Sequence, residues 1–538
     1  MNPEAPLRRA VHTEAGPVEG LPGRDRSLTV FRGIPYAAPP VGELRWRPPR
    51  PPLRWEGVRQ AGSFGPMCPQ APRDAAATGV DVPMSEDCLN LNIWTGATAP
   101  DERRPVLVWI YGGGFREGTG AHPRYDGENL ARKGVVVVTF NYRLGAFGFL
   151  ATPALSHESG TDASAASGNY GLLDCIAALR WVRDNIAHFG GDPGRVTIAG
   201  QSAGAGTVNF LAMSPLARGL FHRAVAQSHA RYSRDPELRY LATSYRLPAD
   251  AEAAGDQYAR EHGARTPEEL RSLPWRKLVD GHHPVDDTVE TGSTARPPLF
   301  RPVVDGWVIP AGYDETYTKG LQNDVDYLAG NNLDESGAVP ETAFAALRAA
   351  RGRTRPGAPP VHVTLDSHLA AAQRKFGPMT DEFLRLYPSA TDDGAARASS
   401  AAVRDNSRVS THLWGTDWVR HTTRPVRTYF WTHRAPTEGP GPRRASHGSE
   451  IDYIFGNPAP GTAPWTDEDH EIAATVSSYW TNFAATGDPN GPGLPHWPAY
   501  APDEATVMEI GGHFGPIPVA DPIRSDFWIR FFGTQQAW

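Results

Sequence analysis

The sequence predicts an α/β protein with a large, mostly parallel central sheet flanked by helices. Short runs rich in β-branched and aromatic residues recur along the chain, and stretches with apolar residues at helical spacing lie between them. Most of these runs are almost continuously apolar, as strands must be when both faces of their sheet are covered. Alternation of strand and helix favours parallel strands joined by right-handed crossovers.

The predicted strands are PVLVWIY (105–111), GVVVVTF (134–140), RVTIAG (195–200), RAVAQS (223–228), DVDYLAG (324–330) and VRTYFW (426–431). The clearest helix is predicted over 170–190, where apolar residues follow helical spacing and a glycine ends the pattern. A second helical pattern, GAGTVNFLAMS, follows the third strand.

Two long segments, 232–320 and 338–425, carry helical patterns without obvious core strands. We interpret them as helical excursions that cover the active-site end of the sheet. The Pro- and Arg-rich stretch at 434–444 is predicted to be a loop. We find no internal repeat and no long linker, so we expect residues 1–538 to form a single domain.

The composition is that of a soluble globular protein, with 40% hydrophobic and 21% charged residues in 538. A net charge of −7 gives no reason to expect nucleic acid or an anionic membrane as a partner. No apolar run approaches the roughly 20 residues that span a bilayer. Residues 1–16 lack the apolar core of a signal peptide, so we expect either a cytoplasmic protein or a secreted one whose signal is absent from this chain.

The pentapeptide GQSAG (200–204) fits the G-x-S-x-G nucleophile elbow. A predicted strand runs directly into it and a helical pattern follows, which is the setting that such an elbow needs. The glycines permit a tight, strained turn that exposes the hydroxyl of Ser202 at the edge of the sheet. The amino terminus of the following helix also favours developing negative charge. Ser202 is therefore the candidate nucleophile.

Three glycines at 112–114 follow the end of the first predicted strand. Consecutive glycines let backbone N–H groups approach a substrate oxygen without obstruction by side chains. Together with the N–H of Ala203, the residue after the nucleophile, they predict an oxyanion hole.

A serine nucleophile needs a histidine base and an acid that orients the base, and in this type of fold the chain order is serine, acid, histidine. The strand at 324–330 leads into NNLDESG, which offers Asp334 and Glu335. Spacing does not decide between these acids. The last strand is followed by His433 and by His447, and the longer loop before His447 favours His447 because it reaches further over the sheet.

Long blocks of the chain resemble type-B carboxylesterases, the cholinesterase-like branch of the α/β-hydrolase fold. The blocks that carry the resemblance are FRGIPYAAPPVGELRW (31–46), SEDCLNLNIW (85–94), WIYGGGF (109–115), NYRLGAFGFL (141–150), GNYGLLDCIAALRWVRDNIAHFGGDP (168–193), GQSAGAG (200–206), SPLARGLFHRAVAQS (214–228), SHGSEIDYIFG (446–456) and YWTNFAATGDPN (479–490). Segments 232–320 and 338–425 contain no matching motif.

The resemblance implies a role for each candidate residue. It implies Ser202 as nucleophile, His447 as base and Glu335 as orienting acid; Gly113, Gly114 and Ala203 as oxyanion donors; Ser228 as a support for the acid; and a Cys68–Cys88 disulfide. Cys175, in the helical pattern at 170–190, is expected to be a small buried residue.

The chain departs from the family pattern at several positions. Gln201 precedes the nucleophile where many members have Glu, which removes a negative charge from beside the site. The acid motif is D-E-S-G rather than D-E-G, and His229 stands where the family usually has Gly. The loop between Cys68 and Cys88 contains no aromatic residue, whereas cholinesterases place a cation-binding Trp there. Choline esters are therefore not the expected substrates.

The predicted function is hydrolysis of short- to medium-chain, uncharged carboxylic esters without metal or cofactor, by a protein that is a monomer or a dimer. Three other functions are compatible with parts of the sequence. A catalytically silent binding protein on the same fold would lack triad residues that are present here. A metal-dependent hydrolase, suggested by GHHPVDD (281–287), is disfavoured because His282 and His283 are adjacent in sequence. Thioesterase, lactonase or amidase activity would use the same machinery.

Overall fold

The fold was analysed in a computed structural model of the 538-residue chain. The residues that the structure describes are 7, 10–160, 166–241, 244–279, 284–286, 288–289, 296–335, 363–436, 443–458 and 462–538.

Fourteen strands occur within the described residues, in one large sheet and one small sheet. The strands are β1 (Val11–Thr13), β2 (Gly16–Glu19), β3 (Leu21–Pro22), β4 (Thr29–Pro35), β5 (Arg59–Gln60), β6 (Asn90–Thr95), β7 (Arg104–Ile110), β8 (Val136–Phe140), β9 (Gly191–Gln201), β10 (Arg223–Gln227), β11 (Asp326–Asn332), β12 (Val426–Trp431), β13 (Thr506–Ile510) and β14 (Phe514–Pro518).

The large sheet has eleven strands in the order β14-β13-β12-β11-β10-β9-β7-β8-β6-β4-β3. Its centre, from β8 to β13, is parallel, and antiparallel strands extend both edges. The predicted α/β class is confirmed, and all six predicted strands are present as β7 to β12. Because the central strands are parallel, the residues that follow them meet at one edge of the sheet.

The central strands alternate their side chains between two hydrophobic cores, one on each face of the sheet. In β7, Val106 and Val108 pack into one core, and Leu107 and Trp109 pack into the other. β8 follows the same alternation. Successive side chains of a strand point to opposite faces, so a continuously apolar strand requires both faces to be covered.

Helices cover these two faces. They are α1 (Pro72–Ala77), α2 (Glu128–Ala131), α3 (Gly145–Phe149), α4 (Pro153–Glu158), α5 (Tyr170–Asn185), α6 (Ala203–Met213), α7 (Glu237–Tyr240), α8 (Pro248–Glu261), α9 (Pro267–Ser272), α10 (Trp275–Val279), α11 (Tyr313–Lys319), α12 (Leu365–Phe376), α13 (Thr380–Leu386), α14 (Asp392–Val419), α15 (Glu450–Phe455), α16 (Asp467–Thr486) and α17 (Pro522–Gly533).

Both segments predicted to be helical excursions contain helices. Segment 232–320 forms α7 to α11, and the described part of segment 338–425 forms α12 to α14. The long helix α14 packs against β11 and β12, so it belongs to the helical layer on the sheet itself. The start of segment 338–425, up to residue 362, lies outside the described residues.

A search of the described residues finds no helix that is both long enough and apolar enough to cross a membrane.

Candidate active site

Ser202 lies in a sharp turn between β9 and α6. Its backbone has φ 58° and ψ −124°, a left-handed conformation that costs a non-glycine residue about 1–3 kcal/mol. The N–H of Ser202 donates to the carbonyl of Gln227 at the end of β10 (2.9 Å), and the carbonyl of Ser202 accepts from Gly206 in α6 (2.9 Å). These bonds fix the strained turn between a strand and a helix, and Ser202 is only half-buried there.

The two glycines of the elbow permit close packing. A Cβ on Gly204 would lie 2.0 Å from the carbonyl oxygen of Ile110, and a Cβ on Gly200 would lie 2.5 Å from the backbone of Gly204. No side chain fits at either position without moving a neighbouring backbone. The G-x-S-x-G pattern is therefore a packing requirement of the strand–turn–helix unit.

His447 and Glu335 form a direct imidazole–carboxylate pair. The distance from Nδ1 of His447 to Oε2 of Glu335 is 2.6 Å, and the backbone N–H of Asn332 donates to Oε1 of Glu335 (3.1 Å). The Glu335 side chain is 9% exposed and that of His447 is 41% exposed. The acid is thus buried behind an imidazole that reaches the surface of the site.

The two groups shift each other's pKa. Burial lowers the pKa of His447, but the charge of Glu335 and its hydrogen bond outweigh burial, so the pKa lies above its ordinary value. Burial raises the pKa of Glu335, but the charge and hydrogen bond of His447, with smaller effects from Ser228 and Asn332, lower it overall. Each partner therefore favours the charged form of the other.

The two rival residues have other partners. Asp334 pairs with Arg404 (2.8 Å) and accepts the N–H of Ala445 (3.2 Å), so it fixes the loop before His447. His433 bonds through Nε2 to Asp469 at 2.7 Å. Asp334 and His433 thus each have another charged partner, whereas Glu335 and His447 contact each other.

The glycine loop packs against the elbow. A Cβ on Gly112 would lie 3.0 Å from Cβ of Ser202 and 2.5 Å from the carbonyl oxygen of Gln201. Gly113 and Gly114 both have positive φ, 112° and 63°. Ala203 is the first residue of α6, where backbone N–H groups have no partner within the helix. The predicted oxyanion donors therefore lie on segments that meet beside Ser202.

Gln201 contacts the predicted base directly. Its Nε2 lies 3.1 Å from Nε2 of His447, and among the described residues no hydrogen bond joins that nitrogen to Ser202. Bonds between a nucleophile and its base commonly tighten only when substrate is bound. Ser228, at the end of β10, has φ 65°, and its hydroxyl contributes to the low pKa of Glu335.

Sequence reasoning missed a buried polar cluster beneath the site. Glu450 is 1% exposed and accepts hydrogen bonds from Gln227 (3.0 Å) and Asn332 (2.5 Å). Burial raises the pKa of Glu450, and the neighbouring charge of Glu335 raises it further, although the two hydrogen bonds oppose this. The sequence offered one indication of this cluster, which is the position of Glu450 three residues after His447 and at the start of α15.

The predicted disulfide is absent, because Cys68 and Cys88 are free thiols. Both are fully buried, and Sγ of Cys68 accepts the N–H of Leu144 (3.3 Å). A hydrogen bond to Cys68 and burial raise the pKa of the Cys88 thiol well above its ordinary value. Both effects favour the neutral thiol of Cys88 over its thiolate. Cys175 is buried in α5 as expected.

The structure accounts for His229, which had no explanation from the sequence. It is 1% exposed, its Nε2 lies 3.1 Å from the hydroxyl of Tyr313 in α11, and burial lowers its pKa to about 3. It is thus a neutral histidine that ties the end of β10 to α11. His282 and His283 lie outside the described residues, and within the described part no group of three side chains could bind a metal.

Known proteins resemble this chain over nearly its whole length. The carboxylesterase family model matches residues 8–519. The chain is 37% identical to fumonisin B1 esterase of Sphingopyxis macrogoltabida over 94% of this chain and 86% of that protein. It is 36% identical to a medium-chain fatty acyl-CoA hydrolase precursor of Anas platyrhynchos over 97% of this chain and 92% of that protein.

A solved structure of a Geobacillus stearothermophilus carboxylesterase superposes with a TM-score of 0.73 at 32% identity, covering 97% of this chain and 100% of that chain. The sequence match and the shared fold agree with the strand–elbow–helix unit described above. The chain therefore belongs to the carboxylesterase family and is a serine hydrolase that acts on carboxylic esters.

Proposed function

We propose that this carboxylesterase cleaves short- to medium-chain, uncharged esters through a Ser202–His447–Glu335 triad and an acyl-enzyme intermediate, as a single domain without metal or cofactor. The observation that carries the proposal is the 2.6 Å pair between His447 and Glu335 on loops beside the strained elbow of Ser202. A serine hydroxyl becomes a useful nucleophile only when a positioned base accepts its proton.

The first step forms the acyl-enzyme. Oγ of Ser202 attacks the ester carbonyl while its proton passes to Nε2 of His447, and the carbonyl electron pair moves onto oxygen. The backbone N–H groups of Gly113, Gly114 and Ala203 stabilise that negative oxygen, and loss of one such donor typically costs about 100- to 1000-fold in rate. Collapse breaks the bond to the alcohol, which leaves with the proton from His447.

The second step returns the free enzyme. Water gives a proton to His447 and adds to the acyl carbonyl, and collapse releases the acid while Ser202 takes its proton back. Glu335 keeps the imidazole in the tautomer whose Nε2 accepts a proton, and it stabilises the imidazolium in both steps.

A mostly apolar cleft, lined in part by Arg116 two residues after Gly114, is consistent with uncharged substrates. Most lining residues are apolar; the exceptions are Gln70, Arg116 and His262. Part of the wall comes from α8 and α10, within segment 232–320, as expected of a helical cover. The name of one relative, a medium-chain fatty acyl-CoA hydrolase precursor, is consistent with a medium acyl chain.

The test is hydrolysis of a p-nitrophenyl ester series from acetate to palmitate. We expect the parent to prefer short or medium chains and Ser202→Ala to lose about four to six orders of magnitude in kcat. Ser63→Ala, at an exposed loop serine, is the matched control and should retain parental rates. A palmitate optimum would contradict the proposed substrate range.

The same series separates the alternatives. Absence of turnover in the parent would favour a binding protein on this fold. Preference for an acyl-CoA thioester over the matched oxygen ester would favour thioesterase activity, which the name of the Anas platyrhynchos relative makes a specific candidate. Lactone and anilide analogues of the best ester test lactonase and amidase activity in the same way.

A further inference from the structure

The proton-accepting nitrogen of His447 already has a partner. Nδ1 of the imidazole lies 2.6 Å from Glu335, and Nε2 lies 3.1 Å from the side-chain nitrogen of Gln201. A neutral imidazole has one donor and one acceptor nitrogen. Because Nδ1 donates to the carboxylate, Nε2 accepts, and Gln201 directs its NH₂ group at it.

The Gln201 side chain lies between the two loops that build the site. Gln201 is the last residue of β9 and is 6% exposed. A Cβ on Gly112 would lie 3.3 Å from Oε1 of Gln201, and a Cβ on Gly448 would lie 3.3 Å from its Nε2. The loop of Gly112–Gly114 and the loop that carries His447 and Gly448 therefore enclose the amide on two sides. A methyl group at Gly112 or Gly448 would be in tight contact with it.

From this geometry we infer that Gln201 is a positioning residue for His447, an inference that rests on the proposed function of His447 as base. The amide donates to Nε2 while the imidazole is neutral. After the proton of Ser202 arrives, Nε2 becomes a donor, and rotation of the amide presents Oε1 to accept from it. An amide can serve both forms of the base, whereas a carboxylate can serve only the charged form.

The charged groups around His447 explain why a neutral amide matters. Glu335, after β11, and Glu450, in α15, favour the imidazolium, and Arg124, before α2, opposes it. Arg124 donates to the carbonyl of Gly448 (2.6 Å) and pairs with Asp452, so it lies against the loop that carries His447 and Gly448. A carboxylate at position 201 would be a third negative group and would sit at Nε2 itself.

The experiment compares Gln201→Glu and Gln201→Met with the parent in the pH dependence of kcat/KM for a neutral p-nitrophenyl ester. Gln201→Glu should move the acid limb upward by about one pH unit, because an opposite charge at this distance favours the imidazolium. Gln201→Met removes the hydrogen bond in both forms, so its acid limb should stay close to that of the parent. The plateau value of kcat/KM in Gln201→Met should fall about three- to tenfold, which corresponds to loss of one typical hydrogen bond.

A matched control separates a local effect from a general effect of charge. Gln536→Glu adds the same charge at an exposed residue near the carboxyl terminus and should leave the pH profile unchanged. An acid limb of Gln201→Glu that coincides with that of the parent would overturn the inference, since a carboxylate in contact with Nε2 must raise the pKa of the imidazole.

A second measurement does not depend on turnover. The imidazole of His447 is titrated by NMR in Ser202→Ala and in Ser202→Ala/Gln201→Glu. A higher pKa in the double variant supports the inference, and equal values overturn it. An inactive parent would instead count against the proposed function, and the NMR titration would still decide the contact between Gln201 and His447.

Discussion

The loop after β12 carries two histidines, and both contact a carboxylate. His433 is 6% exposed, and its Nε2 lies 2.7 Å from Asp469 and 3.1 Å from the hydroxyl of Tyr453. His447 uses Nδ1 for Glu335, and its side chain is 41% exposed. The same chemical pair thus occurs at the two ends of one loop in different surroundings.

The difference lies in what the carboxylate and the free nitrogen contact. Asp469 also accepts hydrogen bonds from Arg443, Tyr453 and Thr466, so it anchors the start of α16 and the loop together. Glu335 has fewer partners, and Nε2 of His447 faces the elbow. The imidazole of such a pair can act as a base only when its other nitrogen reaches the reacting group. Otherwise the pair serves to hold two segments of the chain together, and we call it a structural pair.

Substitution of each histidine by Asn is the strongest test of this comparison. His447→Asn removes the proton acceptor and should lower kcat by about four to six orders of magnitude. His433→Asn should keep kcat near the parental value but lower the free energy of unfolding by about 1–3 kcal/mol, since it leaves buried partners unsatisfied. Steady-state kinetics and urea unfolding measure the two effects. An inactive but stable His433→Asn protein would reverse the assignment.

Substitution of the two carboxylates should also affect activity in one case and stability in the other. The loss of activity should be smaller than that of His447→Asn. Glu335→Gln keeps the shape of the acid but no longer stabilises the imidazolium, so kcat should fall by about 10⁴-fold. Asp469→Asn removes the charge of a buried carboxylate that accepts from Arg443 and Tyr453, and it should cost about 1–3 kcal/mol of stability with little change in kcat of the folded protein. Equal losses of kcat in Glu335→Gln and Asp469→Asn would contradict the distinction between the proposed base and the structural pair.

The two pairs should also respond in separate pH ranges. The proposed base His447 acts only when neutral, and its pKa is raised, so the acid limb of kcat/KM should lie above pH 6.5 and kcat/KM should fall about tenfold for each pH unit below that limb. Asp469 has a depressed pKa in the folded state. Its stabilisation is present above the ordinary value of 3.8 and is lost as pH falls below that value.

Measurement of the free energy of unfolding between pH 2 and pH 7 tests the contribution of Asp469. Asp469→Asn should flatten the loss of stability on the acid side, and Glu335→Gln should flatten it less, because more groups lower the pKa of Asp469. A parent whose stability is unchanged from pH 7 to pH 2 would contradict the role of Asp469.

The smallest effect is expected from Asp334→Asn, next to the orienting acid. Its Oδ1 pairs with Arg404, and its Oδ2 accepts the N–H of Ala445. Asn can still accept from Ala445, so only the charge is lost, at a cost of about 1 kcal/mol in unfolding free energy and less than about threefold in kcat. A loss comparable to that of Glu335→Gln would mean that Asp334 takes part in orienting the base.

The centre of the sheet could be predicted because burial on both faces makes its strands continuously apolar. The prediction for 426–431 matches β12 residue for residue. The antiparallel strands towards the two edges could not be predicted in this way. β4 contains Gly33 and Pro35 and is interrupted by a register shift after Phe31, and β14 has mixed exposure, so neither shows a clean pattern.

The site shows the same limit. The elbow at Ser202 could be predicted because it is local in sequence, a strand, a turn and a helix in succession. The different contacts of His433 and His447 could not, because their carboxylate partners Asp469 and Glu335 lie 36 and 112 residues away in the chain. Contacts between residues so far apart in the chain cannot be predicted from a local sequence pattern.

The polar cluster around Glu450 also determines when activity can appear during folding. Its bonds join residues separated by 223 and 118 positions, and the contact between Gln201 and His447 spans 246. Contacts of such long range form slowly, because chain closure precedes any gain from them. After dilution from denaturant, the helical circular dichroism signal should therefore return before ester hydrolysis does, which makes enzyme activity a reporter of the last folding events of this chain.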